Sequence, residues 1–363
     1  MKKVYTLTFH NANNYGAVIQ AYALQKVLLN NYETCILNYN NKYISQGYKL
    51  FKCFNNGFNI KQFFKDILNL KKEIVRNANF DKFRRSLYLS EEINNIDLLS
   101  KLNSSAYVVG SDQIWNPDMT NGVDDFYTLN VKLKNCKKIS YAASSGNKDV
   151  LVKNGNKYFS LINDFDSVSV REKGMKEIIE SKTEKKVDVV LDPSLLLSFY
   201  DWSKFCGNDR IIKEKYIFVY CGDEPEYFYD IVNDYAKIND CTIIYFGRRD
   251  LKNKFKYRKK SMYEVGPVEF VNLIKYSDCV FTASFHGTAL GIVLNKKILL
   301  VLNKYQDRLS SLIDKLGLNE RIASNFEEYK RIIDKDIDWE NVNKLLEVER
   351  SKSIEWLYKS IDG

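Results

Sequence analysis

Val4-Tyr-Thr-Leu-Thr-Phe9, His10-Asn-Ala-Asn-Asn-Tyr-Gly16, Ala17 to Leu29 and Thr34 to Tyr39 follow one another at the start of the chain, and their reading decides the fold. The first segment is a short apolar run, as a strand requires. The second is polar and ends on glycine, the composition of a turn. The third carries Val18, Ala21, Tyr22, Leu24, Val27 and Leu28 at helical spacing. The fourth is a strand again. Strand, turn, helix, strand is a βαβ unit, and it predicts a parallel sheet covered by helices.

The same alternation continues outward. Residues 41–104 are less regular; apolar spacing at Ile60, Phe63, Phe64, Ile67, Leu68 and Leu70, and again around Phe80, Phe83 and Leu87, predicts a helical insertion. Strands resume at 106–110, 138–142, 167–170 and 187–191, within an α/β domain expected over 1–207. A second alternating block begins at Tyr216-Ile-Phe-Val-Tyr220. It runs through a helix at 225–238, a strand at 242–246, a helix at 268–276, a strand at 279–282, a helix at 287–294 and a strand at 297–302, the core of a second Rossmann-like domain over 208–335. The stretch 207–213, without periodicity, is the expected linker. Residues 336–363 form one long terminal helix, free to cross back to the first domain.

Composition narrows the classes. The 363 residues are 45% hydrophobic and 28% charged, which excludes collagen-like, disordered and disulfide-stapled chains. No apolar run reaches membrane-spanning length, and the Met1 segment reads as a strand rather than a signal peptide. The net charge of +9 is a mild excess, no argument for nucleic acid, and compatible with anionic substrates or an anionic membrane face. Seven scattered cysteines without a CxxC pair read as reduced, in a cytoplasmic protein. With two histidines and no ligand cluster, no metal is expected.

In parallel sheets, ligands sit beyond the carboxyl ends of strands, and two such domains place the expected site in the cleft they form. The turns there are therefore the candidates. Asn13-Asn14-Tyr15-Gly16 opens a helix; one asparagine suffices for a cap, and this turn spends more. Gly110-Ser111-Asp112-Gln113-Ile114-Trp115-Asn116-Pro117 gathers hydrogen-bonding side chains and an indole, the chemistry of a sugar-binding wall; an Asx turn explains only Asn116-Pro117. Arg171, at a strand-to-helix junction, suits a phosphate or carboxylate, or equally a nearby acid. Ser284-Phe285-His286-Gly287-Thr288 places small hydroxyl residues, a glycine and an imidazole at a helix start, an oxyanion pocket with a titratable group. His10 occupies a similar turn with fewer such neighbours. Arg308 and the basic run from Arg248 to Lys260 supply further cations, the run suiting an anionic lipid or a sugar diphosphate, or a solvated loop.

Taken in order, Asn13 to Ala17 with Gln20 to Gln25, Gly110 to Asn116, Ser140 to Ser144, Ser169 to Glu172, Leu191 to Ser194 and Ser284 to Thr288 resemble the polysaccharide pyruvyl transferase family. The resemblance implies a GT-B-like fold, phosphoenolpyruvate as donor, no cofactor, and an acceptor sugar of a cell-surface polysaccharide (exopolysaccharide or capsule) or its lipid-linked precursor. The product would be a pyruvate ketal. Carried onto this chain, His286 is the donor-site histidine, with Arg171 and Arg308 as basic positions near it; where relatives often carry arginine before that histidine, this chain has Phe285. The donor set is then Arg171, Ser284, His286, Gly287, Thr288, Arg308 and Arg248. The acceptor set is Asn13, Asn14, Tyr15, Ser111, Asp112, Gln113, Trp115 and Asn116. His286 is assigned to proton transfer and Asp112 to the acceptor hydroxyl as base. Two other readings remain: a GT-B glycosyltransferase using a nucleotide sugar, with Glu264 or Glu269 on the ribose, and a non-catalytic sugar- or phosphate-binding protein. The implied location is the cytoplasm, at its membrane face where the acceptor is lipid-linked.

Overall fold

A computed structural model describes residues 1–55, 57–146, 148–153, 155–222, 224–247, 249–301 and 307–363. The chain divides into two compact units. The first comprises residues 1–74, 81–196 and 348–363, and the second 75–80 and 197–347.

The first unit is built on a seven-stranded, all-parallel sheet. Its strands are β1 (Lys3–Leu7), β2 (Glu33–Asn38), β3 (Leu89–Glu92), β4 (Ala106–Val109), β5 (Lys137–Ala143), β6 (Ser167–Val170) and β7 (Val187–Val189), in the order β3-β2-β1-β4-β5-β6-β7. The chain winds outward from β1 in one direction, then returns to place β4 on β1's other side. That reversal is the point at which parallel sheets open a ligand crevice. The central strands are covered on both faces, so Ala106-Tyr-Val-Val is fully buried and reads as an unbroken apolar run.

The second unit carries five parallel strands, β8 (Tyr216–Tyr220), β9 (Thr242–Tyr245), β10 (Lys259–Ser261), β11 (Cys279–Thr282) and β12 (Lys297–Leu300), ordered β10-β9-β8-β11-β12. Its reversal lies between β8 and β11. An aromatic cluster of Phe218, Tyr220, Phe246 and Phe270 lies within it, with ring centroids about 5–6 Å apart. Alternating parallel α/β units and a long terminal helix are what the sequence pattern predicts, and the family resemblance implies their GT-B-like fold.

Two strands were not foreseen. The expected helical insertion does contain a long helix, Ile60–Arg84, but it also ends in β3, an edge strand of sequence Leu-Ser-Glu-Glu with its last two residues exposed. Strand β10 falls inside the basic run and is only Lys-Lys-Ser. Edge strands need pairing on one side and can be polar, so neither carries the apolar signature of a central strand. Leu302, the end of the last expected strand, and Arg248 lie outside the described residues.

The terminal helix runs unbroken over Trp339–Asp362. Its last part belongs to the first unit: Leu191 N–H donates to Ser353 Oγ, Arg350 Nε to the Leu195 carbonyl, Trp356 Nε1 to Asp188, and Tyr358 Oη to the Val27 carbonyl. All seven cysteines are free thiols. Burial pushes the thiols of Cys221 and Cys279 up to about 12 and that of Cys241 to about 11, leaving them poor nucleophiles at neutral pH.

Candidate active site

At the β1/β4 reversal of the first unit, Gln20 ties the two strand ends together. Its Nε2 donates to Thr8 Oγ1 at 2.6 Å, and Ser111 N–H donates to its Oε1 at 3.1 Å. Thr8 Oγ1 donates in turn to the Ser111 carbonyl. Gln20 reaches back because it lies on the buried face of the first helix, Tyr15–Leu28, just after the turn. Asn14 caps that helix through Ala17 N–H, and Asn13 Oδ1 accepts from Arg84 Nη1 at 2.7 Å. Arg84, at the end of helix Ile60–Arg84, thus joins this site, although sequence reading did not single it out.

His10 lies in the same turn and is fully buried. Its Nδ1 is 3.2 Å from the Thr8 carbonyl and its Nε2 is 3.3 Å from Asn38 Oδ1. Burial, above all, holds its pKa below the ordinary 6.5. A base whose folded-state pKa is depressed stabilises the fold fully above 6.5, where neither state is protonated, and that contribution is lost as pH falls toward the folded-state value. His10→Gln is therefore expected to flatten the loss of stability that urea unfolding records below pH 6.5; an unchanged slope would rule out His10 as its source.

The second feature is a buried charge network behind β4, β5 and β6. Arg171, with its side chain 2% exposed, places Nη1 2.9 Å from Asp192 Oδ2 and Nε 3.4 Å from Glu172 Oε1. Asp192 also accepts from Ser111 Oγ at 2.8 Å and from Ser194 N–H and Oγ; Glu172 accepts from Ser144 Oγ at 2.5 Å. Burial works against the arginine's charge, but the carboxylates of Glu172, Asp192 and Asp112 outweigh it and lift the guanidinium above its ordinary value. The expectation of a donor-gripping arginine thus meets an internal counter-ion already matched by acids. Glu172 and Asp192 belong to stretches that the family resemblance marks.

Other acceptor-side expectations divide. Asp112 and Ser111 do converge at the crevice. Asp112 takes a left-handed backbone (φ 70°); its Oδ1 accepts Gln113 N–H and its carbonyl accepts Ser144 N–H. Gln113 and Asn116 are bonded to each other at 2.8 Å. Trp115 is not the ring platform expected: it is fully buried, edge-on to Phe165, with Nε1 donating to the Tyr127 carbonyl. Tyr15 is buried likewise. Trp115 packs in the core of the first unit, and Tyr15 faces inward as the first residue of helix Tyr15–Leu28.

A separate cleft of about 840 Å³ opens beyond the carboxyl ends of β2 and β3. Tyr39, Asn41, Asn94, Asn121 and Asp125 are among its lining residues. Tyr39 stacks on Phe126 at 3.9 Å, and Asp124 accepts from Tyr39 Oη and Asn41 Nδ2, both at 2.7 Å. Rings beside amide and carboxylate groups suit a polyhydroxylated ligand.

At the β8/β11 reversal of the second unit, helix Phe285–Val293 begins immediately after β11 and is buried along its whole length. Ser284 caps it, accepting Gly287 N–H, and Thr288 Oγ1 donates to the Ser284 carbonyl. Thr282 Oγ1 donates to the Tyr220 carbonyl at 2.6 Å and accepts Ser284 N–H, so β8, β11 and the cap are one bonded unit. A Cβ on Gly287 would lie 2.8 Å from Thr282 Oγ1, so glycine lets the first turn sit this close. His286 stands in that turn, 7% exposed, with Phe285 edge-on at 5.3 Å. Arg308 is half-buried in the first turn of helix Asp307–Leu316. No group of three or more potential metal ligands exists among the described residues.

The family model for polysaccharide pyruvyl transferase matches residues 14–305. The chain belongs to the polysaccharide pyruvyl transferase family. The match takes in residues of both units and the family-marking stretches from Asn14 to Thr288, while His10, Asn13 and Arg308 lie outside it. No curated protein matches. Among solved structures, the UDP-N-acetylglucosamine 2-epimerase of Rickettsia bellii is 12% identical with a TM-score of 0.56, covering 100% of this chain and 97% of its own. The UDP-GlcNAc 2-epimerase of Methanocaldococcus jannaschii, solved with UDP-GlcNAc and UDP, is 13% identical with a TM-score of 0.53, covering 96% and 99%. Os79 of O. sativa, solved with UDP, is 10% identical with a TM-score of 0.51, covering 98% and 100%. At these identities the likeness shows the GT-B-type fold of this pyruvyl transferase family member, and fold does not carry function.

Proposed function

We propose that this pyruvyltransferase takes phosphoenolpyruvate as donor and converts two hydroxyls of a polysaccharide sugar, free or lipid-linked, into a pyruvate ketal, without metal or cofactor. The observation that supports it is His286 in the first turn of a buried helix at the β8/β11 reversal, in a chain of this family. A helix start with small residues offers N–H groups to phosphate or carboxylate oxygens, and an imidazole there can transfer a proton.

The reaction balances simply. One acceptor hydroxyl attacks C2 of the enol phosphate while a proton reaches the C3 methylene, making it methyl. The C2–O bond to phosphate breaks, and a second hydroxyl closes on C2. One hydroxyl proton replaces that delivered to carbon, and the other leaves with phosphate. In this reading Ser284, His286, Gly287, Thr288 and Arg308, with Arg248, serve the donor, and His286 carries the proton. Asp112 receives the hydroxyl proton of an acceptor held by Asn13, Asn14, Gln113 and Asn116. Arg171, Ser111, Tyr15 and Trp115 position that wall from behind rather than touch substrate.

The test is phosphate release from phosphoenolpyruvate with a panel of oligosaccharides and lipid-linked sugars, together with the mass gain of a ketal on the acceptor. Asp112→Asn is expected to lower kcat about 10²-fold or more with unfolding unchanged; wild-type turnover would remove it as base. Stabilisation by UDP-sugars alone would point instead to nucleotide-sugar transfer. Glu269, one candidate for its ribose contact, already caps its own helix through Gly266 N–H at 3.1 Å. Tight binding without turnover across the panel would leave a sugar- or phosphate-binding protein.

A further inference from the structure

The insertion between β2 and β3 turns its apolar side outward. Among the described residues, nine of the twenty large hydrophobics that remain exposed fall between Phe51 and Val75. Phe54, Phe58, Phe64 and Leu68 are each about 60% exposed. A water-soluble helix normally hides such residues and presents its charges. Helix Ile60–Arg84 does the reverse with two of its three acids, Asp81 near its end being exposed. Asp66 and Glu73, the only acidic residues between 42 and 80, are 5% and 7% exposed. Asp66 is held inside by accepting Cys53 N–H at 2.9 Å and Gln62 Nε2 at 2.6 Å, which also anchors the loop carrying Phe51 and Phe54.

The helical spacing makes two stripes. Ile60, Phe64, Ile67, Leu68, Ile74 and Val75 share one face with Lys71 among them, and Lys61, Lys65 and Lys72 run along its edge, all exposed. At the helix start, Phe54, Phe58 and Phe63 form an aromatic cluster with centroids 5.7–5.9 Å apart. Across 42–72 the segment holds seven lysines. A second copy of this face would meet the same net excess of positive charge. An acidic, apolar-tailed surface fits both stripes at once.

We propose that this face docks the protein on an anionic lipid bilayer, with helix Ile60–Arg84 lying in the interface plane, its phenylalanines among the acyl chains and its lysines against lipid headgroups. No helix among the described residues is long and apolar enough to cross a membrane, so the contact is peripheral. The proposal stands on exposure and charge, and is independent of which reaction the enzyme runs.

Flotation of the full chain with vesicles tests it. Binding is expected to phosphatidylcholine vesicles containing phosphatidylglycerol, and at least about tenfold more weakly to phosphatidylcholine alone or in high salt. The triple variant Phe54→Ser, Phe58→Ser, Phe64→Ser is expected to lose about tenfold or more of the binding while keeping its unfolding temperature and its turnover of a soluble acceptor. Replacing Lys61, Lys65, Lys71 and Lys72 by glutamine should erase the preference for phosphatidylglycerol. Failure of the wild type to float with anionic vesicles overturns the proposal, as does undiminished binding by the triple variant. So does a dimer, seen by light scattering, that the phenylalanine substitutions dissolve without any effect on lipid binding.

Discussion

His286→Ala is expected to lower the kcat of pyruvyl transfer by about 10²–10⁴-fold, the range that a positioned acid–base group supplies. The protein should stay folded. The cap of helix Phe285–Val293 is made by Ser284, and Thr282 holds it to β8, so neither bond involves the imidazole. The measurement is phosphate release at saturating phosphoenolpyruvate and acceptor, beside thermal unfolding of the same samples. A rise in KM with kcat intact would mean that the ring only binds the donor. Turnover near the wild-type rate would remove His286 from the chemistry altogether.

Arg171→Met should produce the larger loss of stability. The arginine is enclosed with Glu172 and Asp192, and methionine keeps much of the volume while stranding both carboxylates. Breaking a buried ion pair from one side costs about 3–5 kcal/mol. For a unit of this size that corresponds to a fall in Tm of roughly 6–20 °C. Arg171→Lys should fall short of rescue, since one ammonium does not reproduce a planar fork with two acids. The triple variant Arg171→Met, Glu172→Gln, Asp192→Asn should recover part of the loss, because the stranded charges are then gone. If Arg171→Met unfolds like wild type yet loses donor affinity, the arginine is a ligand-binding group and not the internal counter-ion its surroundings describe.

The two parallel sheets were legible because their central strands are buried on both faces. Ala106-Tyr-Val-Val and Tyr216-Ile-Phe-Val-Tyr carry the fold in their composition, whereas β3 and β10 pair on one side, tolerate Glu and Lys, and leave no apolar trace. The Ser284 to Thr288 turn was legible for a related reason: cap, glycine and imidazole sit within five residues, so local order places them at a helix start.

Read alone, then, the chain determined what depends on near neighbours: the alternation of strand and helix, the reversal turns, the ordered motifs of its family and the position of His286. Tertiary structure decided which side of each element faces water, because that depends on residues far along the chain. Arg171 is a counter-ion through Asp192, 21 positions away, and Trp115 is core through Phe165. Arg84 reaches Asn13 across 71 positions. The same dependence turns Asp66 and Glu73 inward on helix Ile60–Arg84 and leaves Phe64 and Leu68 outside, the reverse of the usual order on a water-facing helix.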